Sequence, residues 1–410
     1  MLKKPKTTRQ VYLDHAATTY MDERVLAAMK PYFVLEFGNP SSLYAAGRRA
    51  NGALNDARRG IAGLIHALPD NIIFTGGGTE SDNLAILGVA RAHQKHGKHI
   101  ISTPIEHHAV LHALDLLKKE GWEITFVKVD KTGLVNVAEV VKAIRPDTVL
   151  ISIMYANNEI GSIEPIADIG RELLKYRKVN NTVYPFFHTD ACQAAGYLEM
   201  DVEKLHVDLM TVNCSKIYGP KGVGFLYLRR GIKILPLIVG GSQERGLRAG
   251  TENVAGIVAL AKAFSLAQAG REKESKRVGE LSKYLWEAIQ KSIPKVQLNG
   301  PEIGDARLPN NLNITFMDAE GEALLLYLDE YGIMCSTGSA CTSASLDPSH
   351  VLTALGLPYE YIHGSLRFSL GHCNSKADID YLIKYLPPIV AQLREMSPTN
   401  LGEEKHAKYK

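Results

Sequence analysis

The chain is expected to fold as an α/β protein on a mostly parallel sheet, and three observations lead there. Short apolar runs rich in β-branched residues alternate with amphipathic stretches over more than half of the sequence. Polar residues with chemistry to offer follow several of those runs, where a strand would end. Glycine turns pass directly into helical patterns, as at Gly76-Gly-Gly78.

The elements follow in order. Val11-Tyr-Leu13 reads as a short strand, and the small residues of Asp14-His-Ala-Ala-Thr-Thr19 after it as a turn or a loop at a site. Gly38-Asn-Pro-Ser-Ser42 is a loop signal, and Leu43 to Leu64 has helical spacing. Asn71 to Thr75 is a strand that the three glycines turn into a helix, with Thr79 and Asp82 spaced as a capping box. A glycine turn feeding a helix N-terminus offers unpaired amides and a positive dipole end, which suit a phosphate. Neither a Walker pattern nor GxGxxG is present, so this feature alone is equally a plain connection. Strands are expected at His99–Ser102, Ile124–Val129, Thr148–Met154, Pro185–His188, Leu209–Val212 and Phe225–Leu228. Helices are expected at Glu80–His93, Ala109–Glu120, Val137–Ile144 and Ile166–Tyr176. Arg177 to Pro185 reads as an exposed polar loop, and the glycine-rich run from Gly240 to Asn253 as a flexible one. A helix from Arg271 to Lys291 leads away from the sheet.

The division expected is a large domain over 24–268 and a smaller α+β domain formed by 1–23 and 269–397, with a loose tail at 398–410. In the smaller part, Asn310–Phe316 and Ala323–Asp329 suggest a strand and a helix. The run Cys335-Ser-Thr-Gly-Ser-Ala-Cys-Thr-Ser-Ala-Ser345 is too rich in small residues to pack a core. A cysteine in such a loop, Cys341, is a candidate nucleophile, whereas Cys192, Cys214 and Cys373 read as packing residues. Cys335 and Cys341 lack a second pair that would make a metal site, so no metal is expected. Arg367, among apolar residues in Ser365–Gly371, wants an anion: a substrate carboxylate or a structural acid.

Composition narrows the function. At 410 residues and 45.0 kDa, with 45% hydrophobic and 22% charged residues, this is an ordinary globular composition. A net charge of +3, from 47 basic against 44 acidic residues, gives no electrostatic case for nucleic acid. No apolar run nears the ~20 residues that span a bilayer, and the basic start has no apolar stretch behind it. Five cysteines in a long chain read as reduced thiols, hence a cytoplasmic protein.

Asp190 and Lys216 carry the chemical reading. Each ends an apolar run, and the separation fits one strand, a connection and a second strand. A lysine amine and a carboxylate presented together suit pyridoxal 5'-phosphate (PLP): the amine forms the Schiff base and the carboxylate keeps the ring nitrogen protonated. The alternative is a turn lysine and a capping aspartate. His107 and Asn158 also follow strands at that edge, and four polar groups converging there favour the cofactor.

Assembled, these residues resemble the IscS/NifS-type cysteine desulfurases, fold-type I PLP enzymes of the class-V aminotransferase family. The resemblance runs from about Val11 to about Ser397 through YLDHAATT, FGNPSS, FTGGGTESDNLAI, EHHAVL, NNEIG, HTDACQ, SKIYGPKGVG, GGSQERGLRAGTENVA, STGSACTSASLDPSHVLTALG and SLRFSLG. It implies a seven-stranded, mostly parallel sheet in the large domain. It implies that Lys216 binds the cofactor and moves the Cα proton, that Asp190 pairs with the ring nitrogen, and that Gln193 contacts the phenolic oxygen. His107 would stack on the ring and serve as acid or base. Gly78 and Thr79 would hold the phosphate, with Thr251 reaching it from the partner of a homodimer. Asn158 and Arg367 would bind the substrate carboxylate. Cys341 would attack the sulfur of L-cysteine, leaving a persulfide on the protein and alanine as product, and an acceptor protein of iron–sulfur assembly or tRNA thiolation would take the sulfur.

The chain departs from the family pattern before the lysine, where Asn213-Cys-Ser215 replaces Ser-x-His. The phosphate contact normally made by that histidine is then expected from Ser215 or is lost, with a weaker grip on PLP, and Asn213 is expected among the cofactor-binding residues. Asn180–Pro185 looks like an insertion, Cys335 stands where serine is common, and the usual C-terminal extension is not recognisable. A selenocysteine lyase, another PLP lyase, or a non-catalytic scaffold with the same fold are the competing readings. Retained Lys216, Asp190 and Cys341 weigh against the scaffold.

Overall fold

A computed structural model describes residues 9–338 and 348–396. The large sheet is built from β2 (Ile72–Thr75), β3 (His99–Ser102), β4 (Glu123–Phe126), β5 (Thr148–Ser152), β6 (Phe186–Asp190), β7 (Leu209–Asn213) and β8 (Gly224–Leu228), after a short β1 (Val11–Tyr12). Its order is β2-β8-β7-β6-β5-β3-β4. All neighbours are parallel except β8, which runs antiparallel to both β2 and β7. Its central strands are buried throughout, as a sheet covered on both faces requires.

Helices cover both faces: α1 (Glu23–Met29), α2 (Pro31–Val34), α3 (Ala45–Leu64), α4 (Gly78–His93), α5 (His108–Lys119), α6 (Val137–Lys142), α7 (Ile166–Val179) and α8 (Val202–Leu205). One core holds Ile61 of α3 with Phe187, Val212, Phe225 and Phe264; another packs Leu84 and Ile86 of α4 against Ile100, Val110 and Leu209. The helix expected from Arg271 to Lys291 is the second half of a single 39-residue helix, α9 (Val254–Ser292). Its first half packs into the sheet core through Ile257, Leu260 and Phe264. Its second half packs through Leu285 and Ile289 into a separate core. Residues 266–277 between them are at most partly buried and hide the continuity of the helix from an apolar-periodicity reading.

That separate core is covered by the antiparallel sheet β12-β10-β9, where β9 is Val296–Asn299, β10 is Asn311–Phe316 and β12 is Ser365–Ser369. With it go α10 (Gly321–Glu330), β11 (Ile333–Met334), α11 (His350–Ala354), α12 (Tyr359–His363) and α13 (Lys376–Met396). β1 pairs in parallel with β11, which carries the start of the chain to this second core.

Three sequence expectations change. The capping box at Thr79–Asp82 does not form: α4 starts at Gly78, its N-cap is Gly77 with no side-chain cap, and Asp82 is buried. The loop from Gly240 to Asn253 is pinned at Glu244, which is buried, pairs with Arg58 through two hydrogen bonds of 2.9 and 2.5 Å, and accepts the Phe74 amide. Cys335 belongs to the second core, whereas Cys373, expected to pack, is exposed.

Candidate active site

The parallel strands bring the candidate residues to one edge. Asp190 is the last residue of β6, in register with Thr211 of β7. Lys216 closes a 3-10 turn, Cys214–Lys216, that follows β7 directly. His107 caps the N-terminus of α5 just beyond β3, its Nδ1 accepting the Ala109 amide at 3.1 Å. Asn158 follows β5. Ligands bind beyond the carboxyl ends of strands in such sheets.

These groups line one cavity of about 320 Å³, with Gly78 and Thr79 of α4 and with Gln193, Asn213 and Arg367. The Lys216 ammonium donates to the carbonyl of Ala16 at 2.9 Å and to that of Ala17. The Gln193 amide donates to the same Ala16 carbonyl at 2.9 Å. The small residues after β1 thus form a wall of the site. Asp190 is buried and accepts the Cys192 amide at 2.9 Å. Burial holds His107 below the usual imidazole range, against the pull of Asp190 and helped by the positive charge of Lys216, so the ring is neutral at pH 7.

Arg367 has the structural acid that was one of its two expected partners, and it also faces the cavity. It lines the cavity, and one of its terminal nitrogens is paired with Asp14 Oδ1 at 2.7 Å while the other donates to the Asn158 carbonyl at 3.0 Å. Its buried Nε has no hydrogen-bond partner among the described residues. The Asp14 partnership could not be read from sequence, since the two are distant in the chain and meet through β12.

Two candidates stand apart. Ser215 is not among the cavity's lining residues. Its carbonyl accepts both the amide and the hydroxyl of Thr19, and of the expected cofactor-binding pair only Asn213 lines the cavity. Thr251, near the end of the pinned loop, is exposed and does not line the cavity. Cys341 lies outside the described residues; Gly338, three residues before it, lines the cavity.

The donors fit PLP. The volume lies in the ~300–1,000 Å³ range of small-molecule sites. The first amides of a helix have no intrahelical acceptor, and Gly78 and Thr79, the first two residues of α4, line the cavity. A Cβ on Gly78 would stand 2.9 Å from Cys192 Sγ and 3.3 Å from Asn213 Cβ, so only glycine leaves that cradle open. The orphaned Arg367 Nε adds an unmet donor for an anion. Among the described residues no group of His, Cys, Asp or Glu could hold a metal, and no helix is long and apolar enough to cross a membrane.

A lysine and a carboxylate at the carboxyl edge of a mostly parallel sheet, beside a helix N-terminus, define a Schiff-base cofactor site of the fold-type I kind. The aminotransferase class-V family model matches residues 11–382, and the chain belongs to that family, whose cofactor is PLP. It is 51% identical over 390 residues to cysteine desulfurase IscS of Clostridium botulinum, covering 95% of this chain and 96% of that protein. It is equally 51% identical to cysteine desulfurase IscS of Methanosarcina thermophila, covering 95% and 94%. Among solved structures, a NifS-like protein superposes with a TM-score of 0.87 at 37% identity, covering 94% of this chain and all of that one. SspA in complex with cysteine superposes at 0.76 with 35% identity, covering 89% and 99%.

Proposed function

We propose that this chain is a PLP-dependent cysteine desulfurase that converts L-cysteine to L-alanine and carries the sulfur as a persulfide on Cys341. The observation that carries the reading is the single cavity in which Lys216, Asp190, the start of α4 and Arg367 meet, joined to 51% identity with desulfurases over nearly the whole chain. The bound cofactor supplies a protonated ring that accepts electrons from the substrate Cα.

The residues divide the remaining work. Asp190 would hold the proton on the ring nitrogen of bound PLP, and Gly78 and Thr79 at the start of α4 would hold its phosphate, with Asn213 beside them. Gln193 would contact the phenolic oxygen, and His107 would stack on the ring. Arg367, aimed by Asp14, grips the substrate carboxylate with Asn158 beside it. Lys216 moves the proton at Cα, oriented by the Ala16 and Ala17 carbonyls. The Cys341 thiolate attacks the substrate sulfur: an S–S bond forms, the C–S bond breaks, and its electron pair stays with the carbon skeleton, which is protonated and leaves as alanine.

We read the working form as a cytoplasmic homodimer. Exposed Thr251 is then available to a partner's phosphate site, and the apolar run of Phe33, Val34, Leu35, Phe37, Leu43 and Tyr44, each 61–89% exposed, is then covered. An acceptor protein of iron–sulfur assembly or tRNA thiolation would take the sulfur. The test is PLP-loaded protein with L-cysteine, alanine measured against persulfide located by mass spectrometry. Alanine with sulfur on Cys341 is the expected result. PLP-loaded protein that makes no alanine overturns the reading, and sulfur on another cysteine in Cys341→Ala protein that still makes alanine overturns the assignment of Cys341.

A further inference from the structure

The cavity holds a second carboxyl that the proposed reaction does not use. Asp82, one turn into α4, is 1% exposed and lines the same cavity as Asp190. Its Oδ1 has no hydrogen-bond partner among the described residues, and His188 Nε2 lies 3.7 Å away. Thr211, opposite Asp190 in the β6–β7 ladder, hydrogen-bonds the Asp82 carboxyl. Thr211 Oγ1 is also 3.1 Å from His188 Nε2, whose other ring nitrogen is 2.9 Å from Ser152 Oγ. A buried chain from Ser152 through His188 and Thr211 therefore ends on Asp82, beside the carboxylate assigned to the ring nitrogen.

Two desolvated carboxyls in one site do not both ionise readily. Burial first, and the charge of Asp190 second, hold Asp82 well above the usual carboxylate range. Its Oδ1 has His188 Nε2 as a neighbour beyond hydrogen-bond distance, at 3.7 Å, and an unmet buried polar atom costs about 1–3 kcal/mol.

We propose that Asp82 is a positioning residue for PLP, a second acid of the same cavity that supplies the carboxylate at the ring-nitrogen end when Asp190 is replaced. The inference rests on the PLP reading of the same site. It is tested by a double-mutant cycle on PLP affinity, with the visible absorbance of the bound cofactor as a second readout. Asp82→Asn alone should change the dissociation constant by less than about 3-fold, and Asp190→Asn should raise it about 30-fold, while the double variant should lose at least about 10-fold more than Asp190→Asn. The cofactor band should persist in Asp190→Asn and shift or vanish in the double variant. Asp82→Ser gives the same cycle if the asparagine pair does not fold, and melting of the apoprotein separates a packing defect from a binding one. Equal factors for the Asp82 change in both Asp190 backgrounds overturn the inference and leave the function standing. Wild-type protein that takes up no PLP overturns the function itself.

Discussion

Lys216 is held by backbone carbonyls of the segment after β1, which orient the amine whatever side chains stand there. Lys216→Ala should therefore fold and still fail: proton transfer by a positioned group is worth about 10²–10⁴-fold, so alanine formation should fall by at least the lower figure while the melting temperature stays close to wild type. Circular dichroism with an alanine assay checks both. Arg367 makes the complementary case. Its guanidinium spends one nitrogen on Asp14 and another on the Asn158 carbonyl, and lysine cannot reproduce that fork. Arg367→Lys is expected to raise KM for L-cysteine by roughly 10–100-fold, the value of a lost charge-assisted contact, with a smaller change in kcat. Steady-state kinetics decide, and a KM within a factor of about two would assign Arg367 to structure alone.

At the scale of elements, the phosphate cradle depends on how β2 passes into α4. Gly77 has φ +141°, a backbone that side chains rarely adopt, and Gly78 leaves no room for a methyl beside Cys192. Gly78→Ala should weaken PLP binding about tenfold or more while the sheet stays intact, seen as loss of bound cofactor absorbance with unchanged far-ultraviolet dichroism. The glycines and the polar strand ends were legible in the sequence because each marks a local break in pattern. So were the strand–helix alternation and the residues at the sheet's edge. Asp82 was not. Its spacing from Thr79 matches a surface capping box, and only the burial of α4 on nearly every side makes it an interior acid. Arg58 and Glu244 were equally hidden, because a buried pair spanning α3 and a glycine-rich loop leaves no local signature. Breaking it by Glu244→Gln should cost about 3–5 kcal/mol in unfolding free energy, read from denaturant melts, since the arginine would be left buried without its partner.

Across the whole molecule, three buried glutamates, Glu106, Glu159 and Glu164, set how stability responds to pH. Glu106 accepts from Thr103 Oγ1 and the Met154 amide, and burial pushes it up to about 8. Glu159 accepts from Ser349 Oγ at 2.6 Å, and Glu164 from the Val135 amide; burial pushes each to about 7. In the unfolded chain a glutamate releases its proton near 4.5. Between that value and the raised ones the native state binds more protons than the unfolded state, so the slope of unfolding free energy against pH is negative for these groups. Their contribution is complete below about pH 4.5 and is lost as pH rises toward 8, opposite to the usual surface carboxylate. Glu106→Gln removes the largest of the three shifts without changing shape. Its melting temperature should therefore fall less steeply than wild type between pH 6 and 8, with a gap on the order of 1–3 kcal/mol by the alkaline end. Calorimetry on apoprotein and PLP-loaded protein across that range measures it. Parallel curves would mean that Glu106 ionises as freely in the folded chain as in the unfolded one, and that its burial at the sheet edge is relieved by something other than a proton.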